Sequence, residues 1–328
     1  MRKRDVVGLL GGTATGMSVV LTGLAAVAIQ ENFTKRCPRA AKPGTIESVD
    51  EMHIDYLRRR ALEWAKTQEK EDLEIKSKDG LTLRGQYIHN IDAGRAADEP
   101  KKVVLLSHGY GGTGIKDLMI FVDFYRKQGF DICVIDQRAH GLSDGAVITF
   151  GAKEQGDLIR WVRTIVGIAG DDCKILLHGW SMGAAICYLA AAEGLPPQVK
   201  GLVYDCGYSV AEAQFLHSAK KMTHLAKPLL WYIIQAMKPL LKLFINYDMK
   251  DSAPLFVAKD MKLPIFFVHG AADEIVPLWM GRKLYEATNR ASYRDMLIVP
   301  EANHTYSYLH DRKGYEAGIL KLLENCDF

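Results

Sequence analysis

The sequence lacks most of the features that would classify it at a glance. Its 42 Lys and Arg stand against 39 Asp and Glu, so the formal net charge is only +3 over 328 residues. A balance that small predicts no nucleic-acid partner and no strongly acidic substrate. No fixed-period repeat is visible, which excludes solenoids and propellers, and there is no low-complexity tract. Cysteine is scarce and scattered: Cys37, Cys133, Cys173, Cys187, Cys206 and Cys326 show no paired spacing. That pattern excludes a zinc framework or a disulfide scaffold read from spacing, and predicts small buried hydrophobes with free thiols. Free thiols suit a reducing compartment.

What is present begins with one long uncharged run. Val6 to Gln30 carries no charged residue. About 20 apolar residues cross a bilayer, whereas the apolar core of a cleaved signal is roughly 7–15 residues long. The run therefore reads as a transmembrane signal anchor over residues 1–30. A cleaved signal peptide, with Ala26-Val27-Ala28 as its cutting site, and an ordinary buried helix are the alternatives. Arg2, Lys3 and Arg4 favour an inside N-terminus, while Lys35, Arg36, Arg39 and Lys42 at the other end oppose it. The expected arrangement is a membrane-anchored chain with its catalytic part outside. Secretion after cleavage is the alternative.

Residues 31–71 read as a linker and adaptor helix. Beyond them, LEIKSKDG and LTLRGQYIH alternate and predict a strand pair turning at Asp79-Gly80. Apolar runs VVLLSH, DICVID, CKILLHG, VKGLVYD, LPIFFVHG and RDMLIVP then alternate with helical patterns near 117–128, 153–168, 182–193, 277–289 and 311–325. Such alternation predicts an α/β fold, a mostly parallel sheet covered by helices. Residues 209–260 interrupt the rhythm. They are too long for a plain crossover, helical in character and heavily apolar, and Pro228 and Pro239 are expected to divide them into helices. We read them as an inserted lid whose last helices can touch a bilayer.

Two motifs compete for the chemistry. SHGYGGTG follows a strand and contains G-x-G-x-x-G, with Asp136 ending the next strand, as in a dinucleotide-binding loop. Against it stands Gly179-Trp180-Ser181-Met182-Gly183, a G-x-S-x-G directly between a strand and an Ala-rich helix. That setting holds a serine exposed at a helix N-terminus, where backbone N–H groups favour a developing oxyanion. A second G-x-S-x-G, Gly141 to Gly145, is followed by Val147-Ile148-Thr149 rather than a helix, so Ser143 is expected to be structural. A nucleophilic serine needs a base and the base an orienting acid. Among ten histidines, His304 sits in PEANH just after the last strand. Asp273, in HGAADEIVP, and Asp205, ending VKGLVYD, are the candidate acids, and the chain order Ser…Asp…His holds for either.

From about residue 72 onward the chain resembles the α/β-hydrolases. His108-Gly109, Asp136-Gln137-Arg138-Ala139-His140-Gly141-Leu142-Ser143, GWSMG, HGAADEIVP and Asn303-His304 occur in that family's order. The resemblance implies an eight-stranded, mostly parallel sheet over 72–328, a cap after the sixth strand, and a triad of Ser181, Asp273 and His304. It implies an oxyanion hole from the amides of Met182 and Tyr110, which makes SHGYGGTG the oxyanion loop. The apolar N-terminus likewise resembles the membrane anchors of some bacterial members. The function expected is cleavage of carboxylic esters, with a small-molecule acyl ester as substrate and an apolar acyl group. Phe215, Leu229, Leu230, Trp231 and Ile234 are candidate pocket walls, and no cofactor or metal is required. A peptidase or amidase on the same triad, a silent membrane-anchored binding protein and a nicotinamide-dependent oxidoreductase using GYGGTG are the competing readings.

Overall fold

The computed structural model describes Phe33, the backbone of Cys37–Pro38, and residues 48–96 and 99–328. The apolar run 6–30 and the anchor read from it lie outside the described residues. Helix α1 (Val49–Thr67) comes first, its first turn capped by the Ser48 hydroxyl accepting from the Glu51 amide at 3.1 Å. The antiparallel pair β1 (Lys70–Lys76) and β2 (Thr82–Ile88) follows. Gly80, at φ +86°, makes the turn between them.

Six parallel strands complete the sheet: β3 (Lys102–Ser107), β4 (Phe130–Ile135), β5 (Lys174–Trp180), β6 (Val199–Asp205), β7 (Ile265–Gly270) and β8 (Arg294–Val299). The spatial order is β8-β7-β6-β5-β3-β4-β2-β1. Strands β4 and β7 are buried along their whole length. Strands covered on both faces need no polar alternation, which is why they read as continuous apolar runs. Alternate residues serve opposite layers: Val103 and Leu105 enter one core, Val104 and Leu106 the other. Edge strand β1 keeps only Leu73 and Ile75 inside and is otherwise charged, which blunts an exposed edge.

The connecting helices are α2 (Val122–Lys127), α3 (Glu154–Ala169), α4 (Met182–Glu193), α7 (Leu278–Ala287) and α8 (Arg312–Glu324), with α5 and α6 lying in the insertion. Helix α4 is buried on every side from Met182 to Ala190. Its small residues let it lie close to β5 and β6. Between β6 and β7 the chain forms α5 (Ala211–Thr223), α6 (Lys227–Ile245) and two short 3-10 segments, Met249–Ser252 and Pro254–Asp260. Pro228 starts α6 as expected, but Pro239 does not divide it: one helix runs through. The Pro239 ring lies on the exposed side, where water can meet the carbonyl that the missing N–H leaves unpaired. Cys133, Cys173, Cys187, Cys206 and Cys326 are buried free thiols.

Candidate active site

Four strands end side by side at one edge of the sheet. Ser107 pairs with Gly179, Trp180 with Asp205, and Asp205 with Val268. Tyr110, Ser181, Asp273 and His304 lie in the loops leaving this edge, where open α/β sheets gather their sites, and Met182 begins the helix that follows Ser181. After β5 the chain turns within one residue into α4. That residue, Ser181, has φ 56° and ψ −117°, a conformation a serine adopts only under constraint. The constraint is close packing. A Cβ on Gly183 would lie 2.0 Å from the Ser107 carbonyl oxygen, and one on Gly179 would lie 2.5 Å from Ala184 Cα. The Ser181 amide donates to the Asp205 carbonyl at 2.8 Å, tying the turn to the neighbouring strand.

The structure brings Ser181, His304 and Asp273 into one hydrogen-bonded line. Ser181 Oγ lies 2.9 Å from His304 Nε2, and His304 Nδ1 lies 2.7 Å from Asp273 Oδ2. A carboxylate only accepts, so Nδ1 carries the proton and Nε2 is left to accept from the serine hydroxyl. Asp273 is itself fixed: its Oδ1 accepts the amides of Ile275 and Val276 at 2.9 and 2.8 Å. Asn303 staples the acid loop to the histidine loop, its Oδ1 accepting from the amides of Glu274 (3.1 Å) and His304 (2.7 Å).

The glycine loop after β3 borders the same site. Gly109, Tyr110, Gly111 and Gly112 line a cleft of about 240 Å³ together with Trp180, Ser181, His304 and Thr305. The loop's later amides are committed: Gly111 N donates to His140 Nε2 (3.1 Å), Gly112 N to the Gly109 carbonyl (3.3 Å) and Thr113 N to Asp117 Oδ2 (3.0 Å). Asp136, the ribose acid of the dinucleotide reading, accepts from the amides of Gly114 (3.3 Å) and Leu142 (3.0 Å) and is spent on the backbone. Met182 opens α4, so its amide is among those a helix leaves without an internal partner.

Two buried histidines hold this loop in shape. His108 donates through Nδ1 to the Gly109 carbonyl and accepts the Gln137 amide on Nε2. His140 donates through Nδ1 to the Arg138 carbonyl and accepts from Gly111. Burial pushes both imidazoles down to about 4, which keeps the accepting nitrogens unprotonated.

Comparison with known proteins fits this geometry. Residues 102–236 match the family model of the alpha/beta hydrolase fold. An esterase of Pyrococcus furiosus superposes with a TM-score of 0.64 at 21% identity, covering 89% of this chain and 98% of that one. The chain has the α/β-hydrolase fold. An acylaminoacyl peptidase of Pyrococcus horikoshii superposes at 0.58 and 17% identity, over 82% of this chain and 43% of the other. An uncharacterized membrane protein of Saccharomyces cerevisiae is 26% identical over 74% of this chain and 75% of its own length.

Other residues of this α/β-hydrolase fold depart from expectation. Asp205 does not reach His304 as its acid. It is fully buried, its Oδ2 accepts from the Tyr315 hydroxyl at 2.8 Å, and its Oδ1 has no partner. Burial pushes its carboxyl up to about 7. Cys206, next along the chain, has its sulfur within 4.8 Å of the donor atoms of Asp273 and His304, the one such metal-competent cluster among the described residues. Burial holds that thiol well above its ordinary range, and Asp273 and His304 are already bonded to each other. Ser143 is buried, its Oγ donating to the Asp136 carbonyl and accepting from the Arg84 amide.

The expected pocket walls divide. Phe215 packs on Phe150, which stacks on Tyr110 at 5.5 Å. Leu230 and Ile234 are core residues, whereas Leu229 and Trp231 face solvent. No residue of α5 or α6 lines the cleft at Ser181. Two larger hollows, of about 440 and 520 Å³, contain no member of the hydrogen-bonded line.

Proposed function

We propose that the chain is a serine hydrolase that cleaves carboxylic esters, with Ser181 as nucleophile, His304 as general base and Asp273 as the acid orienting it. The supporting observation is the continuous bond line Ser181–His304–Asp273 at a strained strand-to-helix turn that opens on a cleft. A serine hydroxyl is a weak nucleophile at neutral pH, so His304 takes its proton as Oγ attacks the acyl carbon. Asp273 stabilises the imidazolium that forms. The amides of Met182 and Tyr110 receive the tetrahedral oxyanion, each such donor contributing on the order of 3 kcal/mol. His304 then protonates the leaving alcohol, and a water activated by the same imidazole releases the acid from the acyl-enzyme. Tyr110, exposed at the cleft and backed by the Phe150 ring, together with Trp180 favours an apolar acyl group.

A fluorophosphonate probe is expected to label the protein, and Ser181→Ala to abolish labelling while Ser143→Ala retains it. Labelling that survives in Ser181→Ala and disappears in Ser143→Ala overturns the assignment. The similarity to an acylaminoacyl peptidase supports a second reading, amide cleavage on the same residues. A series of p-nitrophenyl esters beside an aminoacyl-anilide separates the two. We further infer membrane attachment through the apolar N-terminal run, with the catalytic body outside the cytoplasm.

A further inference from the structure

The outer face of the insertion is apolar and basic, with only part of its charge paired. From residue 213 to residue 247 there is no Asp or Glu, and there are five lysines, at 220, 221, 227, 238 and 242. Lys221 and Lys238 pair with Glu274 and Glu212, which lie outside that stretch. No carboxylate among the described residues pairs with Lys220, Lys227 or Lys242. Helix α6 seats Leu230, Ile233, Ile234, Met237 and Leu241 in the core. Its other side, with the turn from α5, leaves Met222, Leu225, Trp231, Tyr232 and Leu243 exposed, and Phe244, on the stripe of Met237 and Leu241, is exposed where the helix end runs past the core. Exposed apolar surface of this size on one element marks an interaction site. Lysines beside an aromatic-rich apolar face are the composition of a helix lying in a membrane interface.

Chain connectivity identifies the occupant. Phe33 is fully buried and packs against Phe215 of α5 and Tyr247 just beyond α6, at ring distances of 5.1 and 5.7 Å. Its carbonyl accepts the Ile148 amide at 2.8 Å, and Cys37–Pro38 pair with His140–Gly141. Phe33 is therefore seated beside the insertion. The uncharged run ends at Gln30, three positions before Phe33. Three residues span at most about 10 Å. An anchor ending there holds the bilayer surface against the insertion and not against the opposite side of the sheet.

We propose that the exposed face of α6 and the α5–α6 turn lies on an anionic lipid bilayer, forming a second membrane contact beside the N-terminal anchor. The proposal rests on the anchor reading of residues 6–30 but not on catalysis. Helix α5 also bonds to the loop of the acid, with Gln214 Nε2 donating to the Ile275 carbonyl at 2.7 Å and Lys221 pairing with Glu274. The contact thus sets the cleft close to the lipid surface, where esters with apolar acyl groups concentrate.

The test is tryptophan quenching in the full-length chain reconstituted into vesicles of brominated phosphatidylcholine, with and without phosphatidylglycerol, run in parallel on Ser181→Ala. Wild type and Ser181→Ala should be quenched alike, and Trp231→Phe should lose most of the lipid-dependent quenching. Lys227→Glu with Lys242→Glu should reduce quenching in the phosphatidylglycerol vesicles, and phosphatidylglycerol should strengthen it in the wild type. Equal quenching in wild type and Trp231→Phe overturns the proposal. So does quenching indifferent to phosphatidylglycerol, or a Trp231 signal that follows protein concentration and not lipid, which assigns the face to a second copy. Because no turnover is measured, a failed esterase reading leaves this result intact.

Discussion

At the residue scale the site depends on where protons are kept and where they are excluded. His304 Nε2 meets the Ser181 hydroxyl at the cleft, whereas His108, His140 and His178 are buried and held neutral. His140 makes the clearest case. Its Nε2 must stay bare to accept the Gly111 amide that shapes the glycine loop. Burial, and secondarily the neighbouring His108, lower it from 6.5 to about 4. The unfolded imidazole takes a proton below about 6.5, so between these values the unfolded state holds more protons and stability rises with pH. His140→Gln should therefore be less stable than wild type at pH 7, and the gap should shrink steadily between pH 6.5 and pH 4. The lowering from 6.5 to about 4 corresponds to about 3 kcal/mol. Urea midpoints at several pH values measure this; a pH-independent gap contradicts it. The strings GWSMG and HGAADEIVP made Ser181 and Asp273 legible because their chemistry is tied to local strand ends. The work of His140 and Asn303 was not legible, since each acts on a backbone amide in another loop. Position after the strand already favours Asp273 over Asp205, but the bond that occupies Asp205, from the Tyr315 hydroxyl, joins residues 110 positions apart and leaves no local trace.

At the scale of elements, alternation of apolar runs with helical patterns located all six parallel strands and the main helices. Continuous burial leaves a plain trace in sequence. The insertion was less legible. Its apolar residues outnumber the places available in the core, and composition does not say which of two faces turns inward. Leu230 and Ile234 are in the core, Leu229 and Trp231 are outside, and the helix carries a proline through its middle. Pro239 lacks the N–H that would bond the Gln235 carbonyl one turn earlier, and proline in a helix interior costs about 3 kcal/mol relative to alanine. Its restriction of the unfolded chain offsets up to about 1 kcal/mol of that. Pro239→Ala should accordingly stabilise the protein by about 1–2 kcal/mol and raise the thermal unfolding midpoint by a few degrees. An unchanged or lower midpoint would mean that α6 uses a bend at Pro239 to fit its neighbours.

At the scale of the whole molecule, two fully packed layers leave one uneven side. The sheet is closed by helices on both faces, its β1 edge is charged, and the insertion combines exposed aromatics with Lys220, Lys227 and Lys242, which pair with no carboxylate among the described residues. The N-terminal run adds 25 uncharged residues just ahead of Phe33. At 1.5 Å per residue such a helix is about 37 Å long, enough for a hydrocarbon core of about 30 Å with some tilt. Cleavage after Ala28 would remove the span yet leave Phe33 seated against Phe215, so the folded body is compatible with either fate. The length of the run distinguishes them, because a signal core is shorter and needs no such reach. The expressed chain should therefore keep its full mass of 36.6 kDa and remain in the membrane pellet through alkaline carbonate, leaving it only in detergent. A shortened chain released by carbonate would identify a cleaved signal. It would also remove the anchor that sets the insertion against the bilayer, and with it the support for that second contact.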